Sequence, residues 1–539
     1  EMECLQKNLD QLTEKCKAVV SNFTQEEAED IQMDRILMRA CTPMIKKFCG
    51  ELLDSDAIPN EVLDCLIEHK NRNDMDEKCA AGIEHHQIIS LKDFKFNSKF
   101  REACQTAVAR NCKNKKTKYD VIACLSEHVR NDTLLESPQR IDDRCRKQLK
   151  FELLQRGETI NMDPELKAKC GGDIGLFCLN KRSGEGEIME CLRAHKKELS
   201  NPCHKVVFQR EKDDALFGDY TLLHVCKKMI KEYCDMNGDE ADIFNCLKAS
   251  KNKDGFDDRC RQIVVRRQIE KSRDFRLNPH LQKACKLDIP KFCPQVYKEG
   301  AHKDGELEGQ VIDCLKKIYA SKTKTLTKDC EHEIQSRVKE AALNINLNPV
   351  LMKTCKLDIK YFCLDAIANV KQVESNENPE GYIVLGSGGI IECLKKNFKI
   401  LKDPECKKEV AYAVAESRID VHVDPLLNNV CQQDLITNCR EVPQGQGRQM
   451  SCLLAYLETE PSSLTRNCKE MLQRRKDLWE LAAQVAPAES FSEIYDQMSS
   501  SPARNYFFAI LFTVIGVIFI AGLTCGRVTK RIRAEVKNK

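Results

Sequence analysis

Apolar residues recur along the chain in step with its cysteines. Four residues before the first cysteine of each of seven quartets stand Leu37, Phe100, Leu166, Leu222, Leu281, Leu351 and Leu427. Directly after the third cysteine come Leu66, Leu125, Leu192, Leu247, Leu315, Leu394 and Leu453. Four residues after the fourth come Ile83, Leu149, Val207, Val264, Ile334, Val410 and Leu472. Residues four apart share one helix face, so this register predicts three helices per module. Asp163-Pro164, Asn278-Pro279, Asn348-Pro349 and Asp424-Pro425 mark helix starts, an N-cap followed by proline at the first helical position.

The first two cysteines of every quartet are eight residues apart, while the second-to-third gap varies from 12 to 30 and the third-to-fourth from 12 to 21. Fixed spacing within an element and variable spacing between elements is what helices joined by loops give. Four cysteines allow three pairings. The second ends the first helix and the third opens the next, so those two meet in an antiparallel hairpin. The fourth opens the third helix where the chain has returned to the first cysteine. Nested bridges follow: Cys41–Cys79 around Cys49–Cys65, Cys104–Cys145 around Cys112–Cys124, Cys170–Cys203 around Cys178–Cys191, and Cys226–Cys260 around Cys234–Cys246. The same rule gives Cys285–Cys330 around Cys293–Cys314, Cys355–Cys406 around Cys363–Cys393, and Cys431–Cys468 around Cys439–Cys452. Each outer bridge is worth about 4 kcal/mol in the chain-entropy account, and a module this small needs it.

The expected fold class is therefore all-α, a tandem array of disulfide-stapled three-helix cysteine-rich repeats plus one transmembrane helix, drawn out as a rod. Module boundaries are expected at 30–92, 93–159, 160–215, 216–274, 275–343, 344–420 and 421–485. Cys4 and Cys16 fit the third and fourth positions of a partial module over 1–29, so the chain reads as a C-terminal portion, and no apolar leader opens it. A stalk over 486–504, a span over 505–525 and a basic tail over 526–539 complete the plan. Tyr506 to Cys525 is twenty residues without a charge, about 30 Å of helix and enough to cross a bilayer core. Six basic residues against one acid follow it, which directs that end to the cytosol and the repeats to the lumen.

Composition sharpens the compartment. The 539 residues include 31 cysteines and no CxxC pair, so disulfides in an oxidising compartment are favoured over zinc. The formal charge of +3 and mean hydropathy of −0.47 leave no field for bulk nucleic-acid binding and exclude a polytopic membrane protein.

Candidate chemistry is sparse. Asn22-Phe23-Thr24 and Asn131-Asp132-Thr133 are glycosylation sequons, with Asn131 expected in a loop after its module's second helix. His69, His128 and His195 follow third-position cysteines by four residues, but Ser250, Ile318, Asn397 and Tyr456 fill the same place elsewhere, so surface histidines are expected rather than metal ligands. His85-His86 is expected to be exposed. The basic loop Lys113–Lys118 suits an acidic partner or a solvated turn, and Arg259 to Arg276 suits a solvated helix face. The long hairpin loops 294–311 and 364–390 are candidates for recognition or tolerated insertions. Cys525, outside the register at the cytosolic membrane edge, is a candidate for acylation or an inert thiol. No nucleophile, metal or phosphate-binding motif appears, so no catalytic residue, cofactor or metal is expected.

The repeated quartets, marked by KLDIPKFC (286–293) and KLDIKYFC (356–363), together with one span and the tail CGRVTKRIRAEVKNK (525–539), resemble the cysteine-rich fibroblast growth factor receptor family over the whole chain. The resemblance implies a type I Golgi membrane glycoprotein, with a minor cell-surface pool. It implies luminal binding of fibroblast growth factors and other secreted growth factors, an effect on their secretion, and glycans recognised by a selectin-type lectin.

Overall fold

In the computed structural model of the chain, the described residues are 2–53, 59–135, 140–234, 240–302, 306–320, 325–368, 389–443 and 447–485, with isolated positions between 509 and 517. All regular structure among them is helical. The first module shows the plan with helices Arg35–Phe48, Pro59–His69 and Glu77–Ser90. Its outer bridge Cys41–Cys79 joins first helix to third, and Cys49–Cys65 joins first to second. The other six modules carry the same nested pairing at Cα–Cα separations of 4.7–5.0 Å for the outer bridge and 5.8–6.2 Å for the inner. Cys4 and Cys16 are unbridged. The bridged cysteines sit among the register leucines and valines, which form one core per module except that the last two modules share theirs.

A short 3-10 turn leads into six of the seven modules, and two successive caps build it. Asp30, Asp93, Thr159, Asp274, Asn344 and Asp420 accept from the backbone two residues on and start the turn. Four residues later Asp34, Asn97, Asp163, Asn278, Asn348 and Asp424 cap the first helix. The fourth module has no such turn. Helix Asn201–Phe217 runs through the expected boundary at 215 and stops at Gly218, whose φ of 129° belongs to glycine, and Asp219 then caps the next helix at once. Glycine is also needed where Gly186 and Gly309, both at positive φ, open second helices. A Cβ at Gly186 would lie 2.5 Å from Thr221 Oγ1, and one at Gly309 would lie 2.4 Å from Pro349.

The third helices form the inside of the array. The six that have a module two places on pack on their own module and also against that module's lead-in, while Pro404–Ile419 packs on the next third helix, Arg466–Val485. Glu14–Glu29 meets the turn Phe94–Phe96, Glu77–Ser90 meets Ile160–Met162, and Asp143–Glu158 meets helix Tyr220–Val225. Asn201–Phe217 meets Phe275–Leu277, Asp258–Arg273 meets Ile345–Leu347, and Lys328–Leu343 meets Val421–Val423. Phe217, between the third and fourth modules, lies in the core of the second. The array is thus a wound ramp in which modules two apart touch, rather than a rod of neighbour contacts.

The stalk, Cys525 and the basic tail lie outside the described residues, as does most of the expected span. Among the described residues no helix is long and apolar enough to cross a membrane.

Candidate binding cleft

Module joints are held by buried charge. In the third, fourth and seventh modules the aspartate that caps the first helix is met by an arginine seven residues after the fourth cysteine of its own module. Arg210 reaches Asp163 at 2.5 Å, Arg475 reaches Asp424 at 2.7 Å, and Arg267 bonds Asp219. A base from the preceding module joins each pair, Arg156 at 3.9 Å, Lys395 at 3.2 Å and Arg193 at 3.4 Å. Burial alone would raise all three carboxyls, but these cations outweigh it and hold Asp163, Asp219 and Asp424 below the usual carboxylate range.

The joint between the third and fourth modules is the densest. Arg193 also bonds Asp214 and lies 3.5 Å from Glu270, while Arg267 also bonds Glu190 and lies 3.2 Å from Glu270. Beside it, Lys196 pairs with Glu211 and, at 2.7 Å, with Glu306 of the fifth module's hairpin. Burial pushes the Asp214 carboxyl up to about 7 against the pull of Arg193, and pushes Glu211 up to about 7 against Lys196. Burial also brings the Lys271 ammonium down to about 7.

Over this joint lies a cleft of about 530 Å³, within the range of about 300–1,000 Å³ for small-ligand sites. One wall is the face Glu187, Glu190, Cys191, Ala194 and His195 of helix Glu187–Ala194 and its cap; the other is Arg259, Gln262, Ile263 and Arg266 of helix Asp258–Arg273. Both sets follow helical i, i+3, i+4, i+7 spacing, so two helix faces make the cleft and the ion cluster fixes their separation. His195 stacks on Phe177 at 4.9 Å and His224 on Tyr220 at 5.5 Å along its edges. Glu185 and Glu187 share Arg182, and Glu190 is held by Arg267.

Other residues singled out in the sequence are distributed through the array. Asn22 and Asn131 are exposed, but Asn131 lies inside helix Lys118–Leu135 rather than in a loop after it. Thr24 and Thr133 of the two sequons donate to carbonyls one turn back, a helical arrangement. His69 stacks on Phe48, and its Nδ1 lies 2.8 Å from the Cys65 carbonyl. His85 and His86 are half-buried, not exposed; burial lowers both, His86 to about 4. Lys118 ends the basic loop as a buried side chain, 2.7 Å from Glu152. Within Arg259 to Arg276, Arg267 is buried in the joint, against the expectation of a solvated face. Among the described residues two groups have metal-ligand proximity, Cys112/Cys124/His128 and Cys431/Asp434/Cys468. Their cysteines are bridged, so they offer no thiolates.

One device escaped the sequence reading. Asp173, Asp288 and Asp434, three residues after the first cysteine, accept both the N–H and the hydroxyl of Ser200, Thr327 and Thr465, the caps of the third helices. Asp358 accepts the N–H groups of Lys402 and Asp403. Where that position is Met44, Ala107 or Met229, the third helix carries its own cap, Asp76, Asp142 or Asp257. The exchange holds in six modules and is visible in the sequence once the third-helix cap is placed beside the first helix; the sixth carries both, Asp403 also capping helix Pro404–Ile419.

A family model for a cysteine rich repeat matches residues 14–74, 77–133, 143–200, 258–323, 328–402 and 404–461. Its phase differs from the disulfide-closed unit: Cys41–Cys79, Cys104–Cys145, Cys285–Cys330 and Cys355–Cys406 each tie one matched segment to the next. The chain is 42% identical over 542 residues to Golgi apparatus protein 1 of Gallus gallus and of Homo sapiens, all of this chain matching 46% and 44% of those proteins. A Golgi apparatus protein 1 homolog of Caenorhabditis elegans is 30% identical over 572 residues, with all of this chain matching 48% of it. The chain therefore spans about half the length of the curated relatives it matches.

Proposed function

The chain belongs to the family of proteins built from this cysteine rich repeat, and from that premise we propose that it is a Golgi membrane glycoprotein whose luminal modules bind secreted growth factors of the fibroblast growth factor class and affect their trafficking. The observation that carries the reading is similarity, along its whole length, to proteins named Golgi apparatus protein 1. The fourteen bridges favour an oxidising lumen, where thiols are not kept reduced. Residues 505–525 are the proposed anchor, with the repeats on the luminal side. The exposed side chains of Asn22 and Asn131 favour a second reading, a scaffold whose glycans a selectin-type lectin recognises.

The test is titration of the purified chain against immobilised fibroblast growth factor before and after enzymatic removal of N-glycans. Saturable binding that persists without glycans is the expected result. Binding that disappears with the glycans moves the function to carbohydrate display, and absence of binding in both states refutes the growth-factor reading for these modules.

A further inference from the structure

The motif KLDIKYFC has an inner and an outer half. Asp358, Ile359 and Cys363 face inward, at 1%, 4% and 1% exposure, and do structural work. Lys356, Leu357, Lys360 and Tyr361 face outward on helix Lys356–Phe362. Leu357 and Tyr361 are 61% and 66% exposed and stand one turn apart. Leu364, on the turn that follows, is 62% exposed and adds a third large apolar side chain.

Cations frame these residues. Lys356 and Lys360 are exposed and make no ion pair among the described residues. Lys353, a turn earlier, meets Glu308 of the fifth module's hairpin. On the other side the Lys402 ammonium sits 4.8 Å from the Tyr361 ring and 5.9 Å from Phe362. Its backbone N–H donates to Asp358 Oδ1 at 3.1 Å, so the buried aspartate also fixes the lysine that borders the outer surface. Asp365, exposed beside Leu364, and Glu308 are acids at this surface among the described residues. The equivalent helix of the fifth module keeps Lys286 and an exposed Leu287 but has Pro290 and Lys291 where Lys360 and Tyr361 stand, so it keeps two lysines but lacks the aromatic and the one-turn lysine spacing.

Large side chains exposed together cost solvation unless a partner covers them, and cations on both borders select the sign of that partner. We propose that the outer face of Lys356–Leu364 is a docking surface for a polypeptide segment carrying carboxylates beside large apolar side chains. The apolar side chains cover Leu357, Tyr361 and Leu364, and the carboxylates pair with Lys356, Lys360 and Lys402. This surface lies apart from the cleft between the third and fourth modules and does not depend on growth-factor binding.

Panning a random phage-displayed peptide library on the intact chain tests it. Enriched peptides are expected to be acidic and to carry clustered large apolar residues, with binding weakened by raised salt. Two variants on exposed positions, K356E/K360E and L357S/Y361S, are each expected to weaken the selected peptides by at least about tenfold. L287S, the matching change in the fifth module, is the control and is expected to leave binding unchanged. Retention of all disulfides and of helical circular dichroism establishes that the variants are folded. Enrichment without acidic bias, or peptide binding indifferent to both variants, overturns the proposal. So does capture by phosphatidylserine vesicles that only the wild-type surface supports, which would assign a lipid occupant, and so does self-association lost in the variants, which would assign a second copy.

Discussion

Replacing Asp288 with alanine tests whether the third helix of a module is capped from its first. Asp288 is 2% exposed, and its Oδ2 accepts Thr327 N at 3.2 Å and Thr327 Oγ1 at 2.6 Å. Thr327 itself makes no side-chain cap bond to helix Lys328–Leu343. Hydrogen bonds to an ionised acceptor contribute about 1.5–3 kcal/mol each, offset by the cost of keeping a carboxylate buried. An N-cap is worth about 1 kcal/mol. D288A should therefore destabilise this module by about 2 kcal/mol. T327D alone sets two carboxylates side by side, as Asp358 and Asp403 stand in the sixth module, and should cost less than D288A. D288A/T327D together reproduces the second module, where Ala107 accompanies Asp142 and the Asp142 carboxylate accepts Cys145 N at 2.8 Å. The double variant should return to within a few tenths of a kcal/mol of wild type, a coupling that neither single change reveals.

A seven-module array need not unfold in one step, so the readout must be local. Cys285 and Cys330 are both fully buried, and reducing their bridge requires the third helix to open. With dithiothreitol, alkylation and peptide mass spectrometry, D288A should reduce this bridge roughly 30-fold faster, the factor that about 2 kcal/mol represents. The other outer bridges should keep their rates. If D288A/T327D reduces as fast as D288A, the exchange of cap positions between modules is coincidental and the reasoning fails.

Three further outcomes follow from the joints. K118M leaves Glu152 buried and unpaired and should cost about 3–5 kcal/mol, read as hydrogen exchange in helix Lys118–Leu135, whereas K118M/E152L should recover most of it. Asp214 and Glu211, raised to about 7, hold protons in the folded state that the unfolded chain releases between its ordinary carboxyl range and 7, so exchange in helix Asn201–Phe217, corrected for intrinsic rate, should slow as pH falls from 7 towards 5. D214N should flatten that dependence, and an unchanged slope would count against it. F217A should cost about 3 kcal/mol and loosen helix Asp143–Glu158 of the second module, on which its helix packs, more than its own neighbours.

The helices were legible because their signal is local. Leu166 and Cys170, or Cys203 and Val207, are one turn apart on one element, and a module repeated seven times averages out ambiguity in any single helix. The inner and outer disulfides needed only the order of helix ends. The stalk and tail lie outside the described residues, so nothing in the structure bears on them. What stayed hidden was long-range. Lys196 and Glu306 are 110 residues apart, and nothing in the composition of either segment marks them as partners.

The third helices explain that blindness. Read alone, Asp258–Arg273 carries arginines and acids on several sides and looks solvated, yet Arg267, Gln268 and Ser272 are buried together with Ile263, Val264 and Ile269. Periodicity reports amphipathicity only when one face of a helix meets water. These helices are enclosed on one side by their own module and on another by the lead-in two modules away, so polar residues must be buried on faces that a two-layer bundle would leave wet. Burial of charge is tolerable only with partners, and at Asp163, Asp219 and Asp424 these come from an arginine of the module's own third helix and a base of the preceding module. The winding and the charge pairs therefore depend on each other. Removing Asp219, which Arg193 and Arg267 both approach, would leave two buried guanidiniums competing for Glu190, Glu270 and Asp214, and would reset the separation of the two helix faces that form the cleft.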